Sequence, residues 1–384
     1  QILPHLLSAS LVKNNEKKTV CILVATSGDT GKAALEGFSD VPGTRILVFY
    51  PRDGVSPMQK RQMATQEGAN VSVCAIEGNF DDAQSSVKKI FTDPELKAVL
   101  AEHNMLFSSA NSINWGRLLP QIVYYIFAYL ELVRTSRLSL GDPMDVVVPT
   151  GNFGNILAAY YARKMGLPIR KLVCASNANK VLTDFIRTGT YDRRREFYAT
   201  SSPSMDILIS SNLERLLYDL AGEDSQVLSS WMNDLAETGV YSVGETVLKK
   251  VQDLFYGGFC DEAGTAETVR NLWEKEQYLC DTHTAVAVDV YYQYHKETEG
   301  QSVPTVIAST ANPYKFSASV LESLGQAAGE DDFENLQKLE DTTGISAPAQ
   351  LRSLREKPER FSLVIPKDQA SSYVLETLGI GGKQ

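Results

Sequence analysis

Two runs of small residues each follow an apolar, β-branched stretch and open a helix-like one. The first is Thr26-Ser27-Gly28-Asp29-Thr30-Gly31 after VCILVA; the second is Thr150-Gly151-Asn152-Phe153-Gly154-Asn155 after DVVVP. Small residues let the backbone come close to a ligand. The helix that follows offers free N–H groups and its positive dipole end, which suits an anion. Neither run is GxGxxG, and the GxxxxGK[ST] pattern fails because position 26 is Thr and position 33 is Ala. A dinucleotide site and a P-loop NTPase are therefore unsupported. The phosphate of a small cofactor or substrate stays open, as does the plain reading of either turn as a tight connection.

Other chemistry is sparse. His5, His103, His283 and His295 show no ligand spacing, so no metal site is expected. Cys21, Cys74, Cys174, Cys260 and Cys280 are odd in number and form no CxxC, which reads as buried reduced thiols of a cytoplasmic protein. The net charge of −10 argues against a nucleic-acid partner. It does not exclude an anionic ligand in a locally positive pocket. The apolar run from Gln121 to Val133 is too short to span a membrane and reads as a buried helix. The opening QILPHLLSASL has neither the basic region nor the cleavage site of a signal peptide.

The elements that must position the two turns are legible as an alternation. Strands are expected at Val20–Ala25, Arg45–Tyr50, Val71–Ala75, Asp145–Val148, Lys171–Ala175 and Thr305–Ala308. Helices are expected at Pro57–Glu67, Asp81–Phe91, Asn155–Lys164 and Val181–Arg187. Continuous apolar strands alternating with helices imply α/β architecture with parallel sheets covered on both faces. A break is expected near Arg117–Leu138. The tail after Leu324, richer in charge and turn residues, reads as a smaller appendage.

Five blocks in order carry a family resemblance: ATSGDTGKAALEGF, FYPRDGVSPMQKRQM, SSANSINWGRLLPQIVYY, VPTGNFGNILAAYYARKMGLP and ASTANPYKFSASVLESL. Together they resemble the threonine synthases, in the branch that includes the enteric-bacterial and fungal enzymes. The resemblance implies pyridoxal 5'-phosphate (PLP) fold type II, the tryptophan-synthase-β type: two open α/β domains with the cofactor in a cleft between them. It places a smaller domain over 1–118, a larger one over 119–324 and the appendage over 325–384. The implied reaction converts O-phospho-L-homoserine and water to L-threonine and phosphate. The implied partner is that small molecule alone, with no membrane, and the implied state is a monomer or homodimer.

Residue roles follow by resemblance. Gly151, Asn152, Phe153, Gly154 and Asn155 match the loop that holds the cofactor phosphate, and Ser27, Gly28 and Asp29 the turn along the cofactor's other edge. Asp29 fits either a contact to the ring hydroxyl or a helix N-cap. Thr310 matches the hydroxyl partner of the pyridine nitrogen, against a packed strand-end threonine. Asn111, Ser112 and Arg117 match the residues for the substrate's own phosphate, with Thr26 and Thr30 closing that pocket; a guanidinium binds phosphate bidentately. Capping by Asn111 and Ser112, and a surface ion pair for Arg117, are the plain alternatives. The sequence departs from the family at Asn312, where many relatives carry histidine, so an acid–base role there is in doubt. His283 reads as a packed or capping residue.

No catalytic residue is assigned. The family's Schiff-base lysine lies in an FKD-type motif shortly before a helix, and QILPHLL resembles the body of that helix. The lysine is expected upstream of Gln1 and the chain alone is expected to be inactive. Lys32 and Lys315 match no such position. A serine or threonine dehydratase on the same fold, and a non-catalytic phosphate-binding homologue, are the competing readings.

Overall fold

The computed structural model describes residues 2–111, 114–298 and 303–380. They form two compact units, Gln1–Arg117 with Ala347–Gln384, and Leu118–Ser346. Ser112 lies outside the described residues.

The first unit is built on four parallel strands, β1 (Thr19–Ala25), β2 (Thr44–Pro51), β3 (Val71–Ile76) and β4 (Met105–Ser109), in the order β3-β2-β1-β4. Val20, Ile22 and Val24 pack with Leu35, Phe38, Ile46 and Met63 in one core cluster. Cys21 and Leu23, which point to the opposite face, are equally buried, and so the strand reads as a continuous apolar run. The helices between strands start where side chains cap them. Ser56 and Gln59 form a capping box before Pro57–Ala64, and Asn79 and Asp82 do so before Phe80–Thr92. The opening helix, Ile2–Lys13, lays Leu3, Leu7 and Leu11 against the core at four-residue spacing.

The second unit has four parallel strands, β5 (Met144–Pro149), β6 (Ile169–Ser176), β9 (Phe255–Phe259) and β10 (Thr305–Ile307), ordered β10-β5-β6-β9. An antiparallel pair, β7 (Thr190–Asp192) with β8 (Val240–Ser242), stands apart. The Gly154–Lys164 helix covers one face with Ile156, Leu157 and Tyr160 in the main core. The Thr282–Glu297 helix covers the other with Val286, Ala287 and Val290.

Two expectations need correction. The Ile122–Arg134 helix is not buried. Ile122, Tyr125 and Tyr129 face the core, whereas Val123, Tyr124, Phe127 and Leu130 are exposed. An apolar run reports hydrophobicity but not sidedness, and this helix is apolar all round. Nor is 325–384 a separate appendage. The Asp332–Thr343 helix belongs to the second unit, and the chain from Ala347 returns to the first, where β11 (Val364–Ile365) pairs in parallel with β3. Arg61 holds this returning segment through the carbonyls of Leu354 and Lys357 and the carboxylate of Glu359.

All five cysteines are free and buried. Burial pushes the thiols of Cys21, Cys74, Cys174 and Cys280 up to about 12, so they stay protonated. Among the described residues no group of side chains could hold a metal ion, and no helix is long and apolar enough to cross a membrane.

Candidate functional site

The second turn forms at the carboxyl end of β5, a central strand. Phe153 adopts the left-handed conformation at φ 61° and caps the Gly154–Lys164 helix without a side-chain hydrogen bond. The first intrahelical bond is donated by Leu157 N–H to Phe153 O, so the amides of the first turn point out of the helix end. The Phe153 side chain is buried against Phe255, with ring centroids 5.6 Å apart, and this anchors the strained residue.

The back of the turn is held by the 201–212 segment. Ser210 Oγ donates to Gly151 O at 2.9 Å, and Asn212 Nδ2 to Asn152 O at 2.8 Å. A Cβ on Gly151 would stand 2.9 Å from Ser204 O and 3.2 Å from Met205 Cα, so only glycine allows this approach. With its carbonyls turned back and its amides facing outward, the turn is a cup for an anion. Ser204 Oγ and Asn212 Oδ1, both buried at this contact, have no hydrogen-bond partner among the described residues.

The 201–212 segment is itself pinned by a buried polar knot. Asp206 accepts from Asn177 Nδ2 at 2.7 Å, Asn179 Nδ2 at 3.0 Å, Thr200 N at 2.8 Å and Thr200 Oγ1 at 2.7 Å. Burial pushes its carboxyl above the ordinary range, and the donors from Thr200 and Asn177 oppose this.

A cavity of about 340 Å³ opens beside the cup, lined by Tyr124, Tyr125, Ala128, Asn155, Val306, Ala308, Ser309 and Thr310. Asn155 and Thr310, distant in sequence, thus face one space. Tyr125 Oη donates to the Asn155 carboxamide and orients it. Asn312 caps the following 3-10 turn through Tyr314 N at 3.0 Å. Among the described residues no lysine lines this cavity. An uncapped helix end, a glycine pressed against backbone and an exposed threonine across a cavity fit a phosphorylated planar cofactor such as PLP.

The first unit brings a second set together. Arg117 Nη2 donates to Thr30 Oγ1 at 3.0 Å, and Nη1 to Ala110 O at 2.9 Å. Asn111 is already engaged with the backbone of β1: its Oδ1 accepts from Ala25 N at 2.9 Å and its Nδ2 donates to Ala25 O at 2.6 Å. Thr26 is buried, and its Oγ1 accepts from Gly28 N at 2.9 Å and Gly31 N at 2.8 Å, so the hydroxyl shapes the turn. Gly28, not Asp29, occupies the N-cap position. Asp29 accepts from Gln59 Nε2 at 3.1 Å, and the Gln59 side chain lies where a Cβ on Gly28 would be, at 2.4 Å. Ser27 is half-buried beside them. Lys32 pairs with Glu36 at 2.7 Å.

Sequence reasoning missed Ser204, Ser210, Asn212 and Asp206. The block SSPSMDILISSN, dense in short polar side chains between two helices, was the available signal.

Residues 2–309 match the family model described as pyridoxal-phosphate dependent enzyme, and residues 284–373 match that described as threonine synthase, C-terminal. The chain is 43% identical to human threonine synthase-like 1 over 84% of its length, but spans only 44% of that relative. It is 37% identical to Pseudomonas aeruginosa threonine synthase, over 96% of this chain and 72% of that protein. The crystal structure of PLP-bound threonine synthase from Brucella melitensis superposes with a TM-score of 0.80 at 35% identity, covering 97% of this chain and 74% of that one.

Proposed function

Because this chain belongs to the pyridoxal-phosphate-dependent enzymes and, within them, to the threonine synthases, we propose that it acts as a carbon–oxygen lyase on O-phospho-L-homoserine. Water and that substrate give L-threonine and inorganic phosphate. The observation that carries the reading is the cup at 151–155, with its amides outward and its carbonyls tied to Ser210 and Asn212. It would hold the cofactor phosphate, and Thr310, which lines the adjoining cavity, would offer its hydroxyl to the ring nitrogen. PLP, when bound, supplies an electron sink for the negative charge that develops at the carbon bearing the amino group. A threonine hydroxyl would not enforce protonation of that nitrogen as a carboxylate would.

In the first unit, the pairing of Arg117 with Thr30 supports a role in holding the substrate's phosphoryl group. Asn111 and Thr26 act behind them, by fixing the backbone of the first turn. Arg117→Ala then raises KM for O-phospho-L-homoserine about tenfold or more, as loss of a charge-assisted bond of roughly 1.5–3 kcal/mol requires.

A second reading keeps the cofactor cup without the synthase reaction. The likeness to threonine synthase-like 1 favours it. The full-length protein, with the sequence upstream of Gln1 included and saturated with PLP, should release phosphate and threonine from O-phospho-L-homoserine in equal amounts. PLP binding without release of either product supports the second reading, and absence of PLP binding overturns both.

A further inference from the structure

At the start of the Thr282–Glu297 helix lies a buried carboxylate–imidazole pair that the reaction scheme leaves unused. Asp281 and His283 are 0% and 2% exposed. Asp281 Oδ1 accepts from His283 N at 2.9 Å and Thr284 N at 3.3 Å, and lies 3.0 Å from His283 Nδ1. The far ring nitrogen, Nε2, accepts from the backbone N–H of Ser204 at 3.2 Å. An acceptor at Nε2 and a carboxylate at Nδ1 fix one neutral tautomer, with the proton on Nδ1. The ring is held sideways by Phe316, at a centroid distance of 4.9 Å.

Both ends of this arrangement reach the candidate site. Ser204 is the residue whose carbonyl presses on Gly151. Its neighbour Ser201 is tied to the same helix start, since Thr282 Oγ1 donates to Ser201 O at 2.7 Å. On the other side, Thr284 Oγ1 donates to Asp281 Oδ2 and lies 3.2 Å from Ser309 Oγ, its alternative acceptor. Ser309 lines the cavity next to Thr310. One carboxylate therefore connects to the back of the phosphate cup through His283 and to the ring-facing loop through Thr284.

We propose that Asp281 and His283 are positioning residues that set the distance between the phosphate cup and the Thr310 loop, and so fit the site to a phosphorylated ring of fixed length. This rests on the reading of 151–155 as the cofactor-phosphate cup. Neither residue touches the cofactor. His283 acts through Ser204, and Asp281 acts through His283 and Thr284.

The test compares binding of PLP and of pyridoxal, which lacks the phosphate, by fluorescence titration of wild-type protein, His283→Phe, His283→Gln and Ser309→Ala. Wild-type protein should prefer PLP strongly; equal affinity for the two would sink the cup reading itself. His283→Phe keeps the ring packing but removes both hydrogen bonds. It should weaken PLP about tenfold, or 1.4 kcal/mol, while leaving pyridoxal within about twofold. His283→Gln, whose Oε1 again accepts from Ser204 N–H, should recover most of that loss. Ser309→Ala should weaken PLP and pyridoxal alike. Unchanged PLP preference in a folded His283→Phe protein overturns the inference and leaves the cup reading standing. If His283→Phe does not fold, His283→Gln and Ser309→Ala decide it. Near-wild-type preference in the first with equal losses in the second supports the proposal, and loss of preference in Ser309→Ala alone overturns it.

Discussion

Gly151→Ala tests the geometry of the cup most directly. The added Cβ would meet Ser204 O at 2.9 Å, Met205 Cα at 3.2 Å and Ile207 Cγ1 at 3.6 Å. The first two contacts are with backbone, so no side-chain rotation relieves them, and the 201–212 segment must retreat by roughly half an ångström. That segment carries the donors Ser210 Oγ and Asn212 Nδ2, bonded at 2.9 and 2.8 Å to the loop. Retreat lengthens both bonds beyond good geometry. Overpacking of this kind costs about 1–3 kcal/mol. For a unit of this size each kcal/mol lowers Tm by roughly 2–4 °C. Gly154→Ala is the matched control, because its Cβ meets only Asn212 Nδ2 at 3.4 Å, an ordinary contact. Urea denaturation followed by circular dichroism should place Gly151→Ala well below wild type and Gly154→Ala within about 0.5 kcal/mol of it. PLP titration should show weakening in Gly151→Ala beyond what its stability explains. Equal stability and equal PLP affinity in Gly151→Ala and wild type would refute the argument that the turn is moulded by its contact with Ser204.

Asp145, 1% exposed, is gripped by Arg170 through Nε at 3.0 Å and Nη2 at 2.5 Å and by Tyr294 Oη at 2.9 Å, all beneath the sheet. Asp145→Ala takes the carboxylate from a partly exposed guanidinium that keeps Tyr294 Oη and should cost about 1.5–3 kcal/mol in urea midpoint analysis, whereas Lys164→Ala at the more exposed Asp219 pair should cost under about 1 kcal/mol. Burial pushes the Asp281 carboxyl up, but the bonds from His283 and Thr284 prevail and hold it below its ordinary value of 3.8. The sign is therefore that of a depressed acid. Its contribution is present above about pH 4 and is lost as pH falls further, so Asp281→Asn should flatten the acid limb of stability against pH. Treatment with PLP and borohydride should leave no pyridoxyl label on Lys32 or Lys315 in peptide mass spectrometry, since Lys32 pairs with Glu36 and neither lines the cavity.

Much of this was legible in the sequence, and the exceptions have physical causes. The strands β1, β2, β3, β5 and β6 stood out because both faces are buried, so nothing interrupts their apolar runs. β10 also forms where a strand was expected, at Thr305–Ile307, and the others hid for separate reasons. β4 has two serines in five residues. β9 carries Gly257 and Gly258, needed because a Cβ there would lie 3.1 Å from the Thr183 backbone or 2.6 Å from Val290 Cγ1. β11 is two residues long and forms only because β3 offers it an edge. The phosphate-type turn was visible as a local pattern. Its supports were not, because Ser204, Asn212 and His283 come from far along the chain. Thr26 and Asn111 show the converse. Their types suit a ligand, but neighbouring backbone claims their polar atoms, and only coordinates reveal that.

The return of residues 347–380 to the first unit has a consequence for biosynthesis. The second unit is spelled by uninterrupted sequence and can close as soon as Ser346 leaves the ribosome. The first unit begins earlier yet finishes later. Until Val364 and Ile365 arrive, β3 presents a bare edge, and until Ala370–Thr377 docks, the helix at Phe80–Thr92 lacks its neighbour. A nascent chain thus carries one completed unit and one unfinished unit, and the open edge is a template for pairing with other chains during that interval. Synthesis that stops just after Ser346 would yield a protein with an intact phosphate cup and an aggregation-prone first unit.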